Sequence, residues 1–116
     1  MASSLPENPL PPCPGSPNCV RQTRAFALPA DTLFDQAQQA LKAIGPSTVN
    51  ADPETRHLDA VFTVVFFKDD VALRIEPHQD GAVLHIRSAS RVGYSALGVN
   101  RRRVARFFRR LENFGF

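Results

Sequence analysis

The sequence contains little of what identifies common enzymes and membrane proteins. Among its 116 residues there are no Trp, one Tyr and two Cys. No run of about 18 apolar residues occurs, so the sequence predicts no transmembrane helix. The nucleophile elbow Gly-x-Ser-x-Gly, a glycine-rich phosphate loop and the zinc motif His-Glu-x-x-His are also missing. These absences exclude the common hydrolase, nucleotide-binding and metalloprotease patterns, and we expect neither a cofactor nor a metal.

A secretory signal is absent from the N-terminus as well. Residues 1–9 contain no basic segment followed by an apolar stretch. The sequence as given therefore predicts a cytoplasmic location. A periplasmic or otherwise exported location is the alternative if a signal was trimmed, because two cysteines alone do not decide the compartment.

Proline is concentrated at the N-terminus, with six prolines in residues 1–18. Because proline is excluded from helix interiors and central strands, we predict an extended arm over residues 1–19, followed by one α+β domain over residues 20–116. Cys13 and Cys19 enclose five residues, including two prolines and one glycine, so a disulfide is geometrically reasonable. A redox-active pair and a metal site are weaker alternatives, since neither the spacing nor the histidines fit them.

Hydrophobic periodicity predicts two helices and one sheet. Apolar residues recur at helical spacing over residues 29–44 and about 100–113, and Asn100 is the expected N-cap of the second helix. The predicted strands are residues 20–28, 48–51, 58–67, 71–76 and 83–88. Tight turns between the later strands imply antiparallel pairing. We therefore predict a two-layer α+β sandwich, in which two helices cover one face of an antiparallel sheet of four to five strands.

The predicted core can be stated residue by residue. Residues 58–67 are apolar almost throughout, which is typical of a central strand, and residues 68–70 are expected to form the turn that follows. The residues expected to be buried are Phe62, Val64, Phe66, Leu73, Ile75, Leu84, Ile86, Val104, Phe107 and Leu111.

Positive charge is concentrated in the last part of the chain. Residues 85–116 hold eight arginines and one acid, whereas residues 1–84 hold six Lys or Arg and ten Asp or Glu. Three arginines, residues 101–103, stand where the second helix should begin, and the helix dipole disfavours cations there. This arrangement predicts an anionic partner, which can be internal or external.

The arginine-rich segment 87–103 is the main candidate site, and we expect an anionic small molecule, a lipid head group or a protein carboxylate to bind there. The candidate ligand-binding residues are Arg87, Arg91, Asn100, Arg101 and Arg103. Free amides at the helix start would help to hold an anion. Helix geometry predicts that Arg101 is the arginine that turns inward. The alternative is that the arginines only brace the protein by pairing with its own acids or carbonyls.

His85 and Asp70 are the weaker, catalytic candidates. They would act as acid and base in a small enzyme whose substrate carries a carboxylate or phosphate. Their structural alternatives are a covered sheet histidine and a turn acid held by arginine. Because no nucleophile pattern accompanies them, we favour a non-catalytic binding module. Nucleic acid is not an expected partner, since the basic helix face lacks stacking aromatics.

Three segments together carry a family resemblance. They are residues 13–20 (Cys-Pro-Gly-Ser-Pro-Asn-Cys-Val), 69–77 and 87–103. Through them the chain resembles the bacterial and plastid family catalogued as domain of unknown function 1499. The resemblance implies no established activity, and it implies that relatives are often exported or plastid-targeted. Such relatives have Asp before Leu-Gly-Val-Asn, where this chain has Ala96, so no carboxylate role is implied there.

Overall fold

Five strands form a single antiparallel sheet in the computed structural model, which describes residues 5–15, 18–91 and 98–114. The strands are β1 (Cys19–Phe26), β2 (Thr48–Asp52), β3 (His57–Val64), β4 (Phe67–His78) and β5 (Gly81–Ser90). They lie in the order β1-β5-β4-β3-β2, and every neighbouring pair is antiparallel. Helix α1 (Ala30–Ala43) follows β1, and helix α2 (Val99–Glu112) follows β5. The predicted α+β class is confirmed, with β1 at an edge as its mixed polarity suggests.

Both helices pack on the same face of the sheet. Alternate residues of the three central strands point towards the helices because side chains alternate along a strand. Apolar residues one turn apart on α1 and α2 meet them. The largest fully buried apolar side chains in this layer are Leu33, Leu41, Leu58, Leu73, Ile75, Leu84, Ile86, Phe107 and Leu111. Most of the predicted core is therefore confirmed.

The apolar segment 58–67 is not one strand. β3 ends at Val64 and β4 begins at Phe67, so Val65 and Phe66 form a two-residue hairpin turn. Phe66 is 89% exposed, and the prediction that it is buried is wrong; Val64 is only half-buried. Residues 68–70, predicted to be a turn, belong to β4. Hydrophobicity does not locate this turn, because it lacks the Gly, Asn or Asp that usually marks one.

The N-terminal arm lies on the helix-free face of the sheet. A terminal nitrogen of Arg21 donates a hydrogen bond to the carbonyl of Leu10 at 2.8 Å, and Nε of Arg87 donates to the carbonyl of Pro11 at 2.9 Å. Leu10 is buried in this position. Two strand arginines thus hold a segment that has no secondary structure of its own.

A disulfide joins the arm to the sheet. Cys13 and Cys19 are bonded, with 5.5 Å between their Cα atoms, which confirms the predicted pairing. Because Cys19 is the first residue of β1, the bond fixes the end of the arm beside the first strand. Within the described ranges, neither helix has the length and apolarity needed to cross a bilayer.

Candidate functional site

Three residues near the end of β5 project from the helix-free face. Alternation along the strand places Arg87 and Ala89 on that face, and the backbone N–H of Arg91 continues the ladder by donating to the carbonyl of Lys68 at 3.0 Å. The sheet therefore presents two arginines separated by a small alanine. Residues 92–97, the centre of the predicted arginine-rich loop with Ala96, lie outside the described residues.

A pocket of about 240 Å³ lies where these arginines meet the disulfide; we call it the disulfide-side pocket. It is lined by Pro14, Asn18, Cys19, Arg87, Ala89, Ser90 and Arg91. Among the described residues, its charged lining consists of two arginines, and no acid lines it. Its electrostatics therefore favour a small anion.

Arg87 is held in place by the arm. Its Nε donates to the carbonyl of Pro11 at 2.9 Å. Within the described part of the chain, its two terminal nitrogens donate to no protein acceptor. A guanidinium that is fixed at Nε and keeps its terminal amino groups available is suited to a carboxylate or phosphate.

Arg91 is held by a carboxylate. Its Nε and one terminal nitrogen donate to the two carboxylate oxygens of Asp70 at 2.8 and 2.9 Å. Hydrogen bonding to Asp70 raises the pKa of Arg91 above its usual value. Asp70 therefore orients this arginine at the surface.

A second groove, of about 360 Å³, lies on the other side of Arg87. Its lining includes Leu10 and Pro11 of the arm and the carboxylates of Asp59 and Asp70. Register places Asp59, Ala72 and Arg87 in one row across three neighbouring strands. The two carboxylates make this groove less suited to an anion, but it offers space for the body of a ligand whose anionic end contacts Arg87.

The predicted roles of Asn100 and Arg101 need correction. α2 begins at Val99 and is preceded by Gly98 in the left-handed conformation, so Asn100 is not the N-cap. Arg103, not Arg101, turns inward: Arg103 is 4% exposed and Arg101 is exposed. Arg103 stands one turn before the buried Phe107 and therefore belongs to the stripe that faces the sheet.

Arg103 lies in a buried polar cluster formed by Asp69, Ser88, Asn100 and Arg103. Its guanidinium is 2.8 Å from the carboxylate of Asp69, donates to the side-chain oxygen of Asn100 at 2.8 Å and reaches the hydroxyl of Ser88 at 3.2 Å. Burial lowers the pKa of Arg103 from its usual value, and the hydrogen bond to Asp69 opposes that effect. The anion that explains this arginine is internal, so Arg103 braces the fold.

Asn100 extends the cluster towards the disulfide. Its amide nitrogen donates to the carbonyl of Asn18 at 2.9 Å and to the hydroxyl of Ser90 at 3.1 Å, and its oxygen accepts from Ser88 at 2.6 Å. Asn18 is adjacent to Cys19 in the chain. The start of α2 is thus tied to the same end of the sheet that carries the pocket.

The catalytic candidates are not brought together. His85 has no exposed surface, and its ring nitrogens are hydrogen-bonded to Thr23 and Glu76, both at 2.8 Å. Asp70 pairs with Ala89, four residues along β5 from His85, which corresponds to about 13 Å on that face. The structural alternative of a covered sheet histidine describes His85 well.

Stability should depend on pH through His85. Burial lowers its pKa below the ordinary value, although the hydrogen bond to Glu76 acts in the opposite direction. The unfolded chain therefore binds a proton at a higher pH than the folded chain, so stability is expected to fall as the pH drops below about 6.5. Urea unfolding of the wild type and His85→Gln at several pH values measures this. An equal loss in both proteins below that pH would assign the effect to other groups.

Asp69 and Ser88 were not predicted to be buried cluster residues, although the strand pattern carries a signal for both. Asp69 continues the phase of Val71 and Leu73, and Ser88 continues the phase of Ile86, so both fall on the buried face of their strands. Asp69 was not recognised as a buried strand residue because residues 68–70 were predicted to form a turn.

Known structures share the fold. TTHA0849 from Thermus thermophilus is 13% identical, with a TM-score of 0.57 over 82% of this chain and 94% of that chain. Ara h 8.0201 is 11% identical, with a TM-score of 0.56 over 83% and 95%. CV1439 from Chromobacterium violaceum is 12% identical, with a TM-score of 0.51 over 84% and 96%. At such identities the likeness concerns the fold alone.

No curated protein matches the chain. A family model matches residues 9–111, a range that includes the disulfide, both pocket arginines and nearly all of α2. The chain belongs to the family described as Protein of unknown function (DUF1499).

Proposed function

We propose that this chain is a non-catalytic binding module that holds a small anionic group between Arg87 and Arg91 in the disulfide-side pocket. The main support is the hydrogen bonding of Arg87. Its Nε donates to the carbonyl of Pro11, while its terminal nitrogens donate to no acceptor within the described residues. A carboxylate or a phosphate monoester fits this arrangement, because both accept two parallel N–H bonds from one guanidinium.

Preorganisation supports the proposal. The arm carbonyl holds Arg87, and Asp70 holds Arg91 through two hydrogen bonds. Long side chains that are already ordered lose less conformational entropy when a ligand binds. The neighbouring groove, with its mixed apolar and polar lining, would accept the uncharged part of the same ligand.

The catalytic alternative receives less support from the geometry. A general base needs access to the proton it removes. His85 is enclosed and bonded at both ring nitrogens, while Asp70 is engaged by Arg91. No arrangement of nucleophile and base accompanies them among the described residues.

We also propose that the chain functions in an oxidising compartment. The disulfide between Cys13 and Cys19 fixes the arm that positions Arg87. Structural disulfides persist in the periplasm and outside the cell and are rare in a reducing cytosol. This favours an exported location over the cytoplasmic one.

Phosphate should stabilise the folded protein through Arg87. At about ten times its Kd, phosphate is expected to raise Tm by about 5 °C, because a ligand that binds the folded state stabilises it by mass action. Arg87→Gln should lose this shift. Thermal unfolding followed by circular dichroism, with phosphate and a short dicarboxylate titrated separately at constant ionic strength, measures both cases and distinguishes the two ligand chemistries.

Arg101→Gln is the matched control, since Arg101 is an exposed arginine outside the pocket lining. It should respond to phosphate as the wild type does. The proposal fails if Arg87→Gln, folded in the absence of ligand, shows the wild-type shift, or if neither anion shifts the wild type. Equal shifts with chloride at the same ionic strength would assign the response to general screening instead.

A further inference from the structure

The turn between β3 and β4, which we call the hairpin tip (Val65 and Phe66), is an exposed apolar projection. Val65 is 76% exposed and Phe66 is 89% exposed. They are the two most exposed large apolar residues of the described chain, and they are adjacent. A single exposed apolar residue is ordinary, but two at the end of a projecting hairpin need an explanation.

Backbone conformation makes this choice of residues costly. Val65 has φ of +59°, in the left-handed region that β-branched residues avoid. Two-residue hairpin turns with a positive φ at the first position favour Gly there and a polar residue next. Fold stability alone would thus select Gly-Asn over Val-Phe. Strain of this kind is retained where the residue serves another purpose.

Basic side chains lie around the tip. Lys68, the second residue of β4, is exposed. Arg91 lies beside it, since the backbone N–H of Arg91 donates to the carbonyl of Lys68. The nearby acids are already engaged, since Asp70 pairs with Arg91 and the buried Asp69 pairs with Arg103. The charge left at the surface beside the tip is therefore positive.

The start of α2 adds to this charge. Ser90, which pairs with Asp69 at the same end of the sheet, is bonded to Asn100. Arg101, which follows Asn100 in α2, is exposed. One end of the molecule therefore presents an apolar tip together with exposed lysine and arginine side chains.

We propose that the hairpin tip inserts into the surface of an anionic lipid bilayer. Apolar side chains that enter the boundary of the acyl region, with Lys and Arg at the level of anionic head groups, are the two elements of peripheral membrane binding. A protein partner is less well matched. The tip offers roughly 300 Å² of side-chain surface, whereas a stable interface takes about 800 Å² from each partner. The inference is independent of the disulfide-side pocket.

Vesicle co-sedimentation tests the proposal on the full, oxidised chain. The vesicles are phosphatidylcholine alone, or phosphatidylcholine mixed with phosphatidylglycerol. We expect the wild type to bind the anionic vesicles, and to bind them less tightly as salt is raised. The double variant Val65→Gly/Phe66→Asn should bind at least about tenfold more weakly, because the apolar contribution is removed. Since its new turn residues suit the backbone, this variant should fold at least as stably as the wild type.

Phe114→Asn is the matched control. Phe114 is also an exposed aromatic residue, but it follows the C-terminal end of α2, about 20 Å along the helix from its start. It should bind vesicles as the wild type does. The proposal is overturned if the tip variant binds anionic vesicles as tightly as the wild type, or if the wild type binds neither vesicle. Tip-dependent self-association in sedimentation velocity without vesicle binding would overturn it in favour of a second copy of the chain.

Discussion

Replacing Arg103 by Ala is expected to lower the free energy of unfolding by about 4 kcal/mol, because removal of one partner leaves a buried charge uncompensated. Arg103 and Asp69 are both almost fully buried, and their charged atoms are 2.8 Å apart. The variant would leave the Asp69 carboxylate without its counter-ion beneath α2 and would also remove a donor from Asn100 and Ser88. Urea unfolding at neutral pH measures the loss.

Arg101→Ala is the control for this measurement, because it removes an exposed arginine from the same helical turn. Its cost should stay below about 0.5 kcal/mol. The double variant Asp69→Leu/Arg103→Met should recover part of the loss, since no buried charge is left unpaired. Among the described residues, one carboxylate oxygen of Asp69 and Nε of Arg103 have no hydrogen-bond partner, which makes the native pair imperfect. Similar losses in Arg101→Ala and Arg103→Ala would refute the bracing role.

The contrast between the buried Arg103 and the exposed Arg101 changes the interpretation of the arginine-rich segment. In the sequence these arginines form one cluster. In the structure they lie on different faces of β5 and α2. Arg87 and Arg91 face the helix-free side and line the pocket, whereas Arg103 faces the core. An anion screen on Arg103 variants would therefore report stability, and one on Arg87 variants would report binding.

Much of the fold follows from local pattern. The alternation in β4 and β5 and the helical stripes of α1 and α2 predict the elements and most of the core. The β3–β4 turn could not be found, because Val65 and Phe66 extend an apolar run instead of interrupting it. Turns are predicted from residue types such as Gly, Asn and Asp. Here Val65 adopts a positive φ that its residue type disfavours, so the residue types do not indicate the turn.

The candidate site was predictable only in part. Arg87 and Arg91 were predicted from the arginine-rich composition of residues 87–103, but the role of Pro11 in anchoring Arg87 was not, since Pro11 is 76 residues away in sequence. His85 is similar. Its ring nitrogens are hydrogen-bonded to Thr23 and Glu76, which come from two other strands. Side-chain partners that come from distant strands leave no periodic signal.

Asn100 gives the sharpest test between a helix cap and an internal bridge. As an N-cap, Asn100→Asp would be neutral or slightly stabilising, because Asp caps as well as Asn and its charge suits the helix dipole. As a buried bridge, Asn100 uses its amide nitrogen to donate to Asn18 and Ser90. A carboxylate has no such donor and would face the carbonyl oxygen of Asn18.

We therefore expect Asn100→Asp to lower the free energy of unfolding by about 3 kcal/mol at neutral pH, because it removes the amide donor to Asn18 and Ser90 and adds a buried charge. The loss should shrink at low pH, where a protonated carboxyl regains one donor. Asn113→Asp is the matched control, since Asn113 is exposed at the other end of α2. Its cost should remain a small fraction of the Asn100 effect, because a charge at the exposed helix C-terminus is solvated. Chemical denaturation of both variants decides the question: a neutral Asn100→Asp would restore the capping role, and a large loss would place Asn100 with Arg103 in the bracing cluster, leaving Arg87 and Arg91 as the arginines available to a ligand.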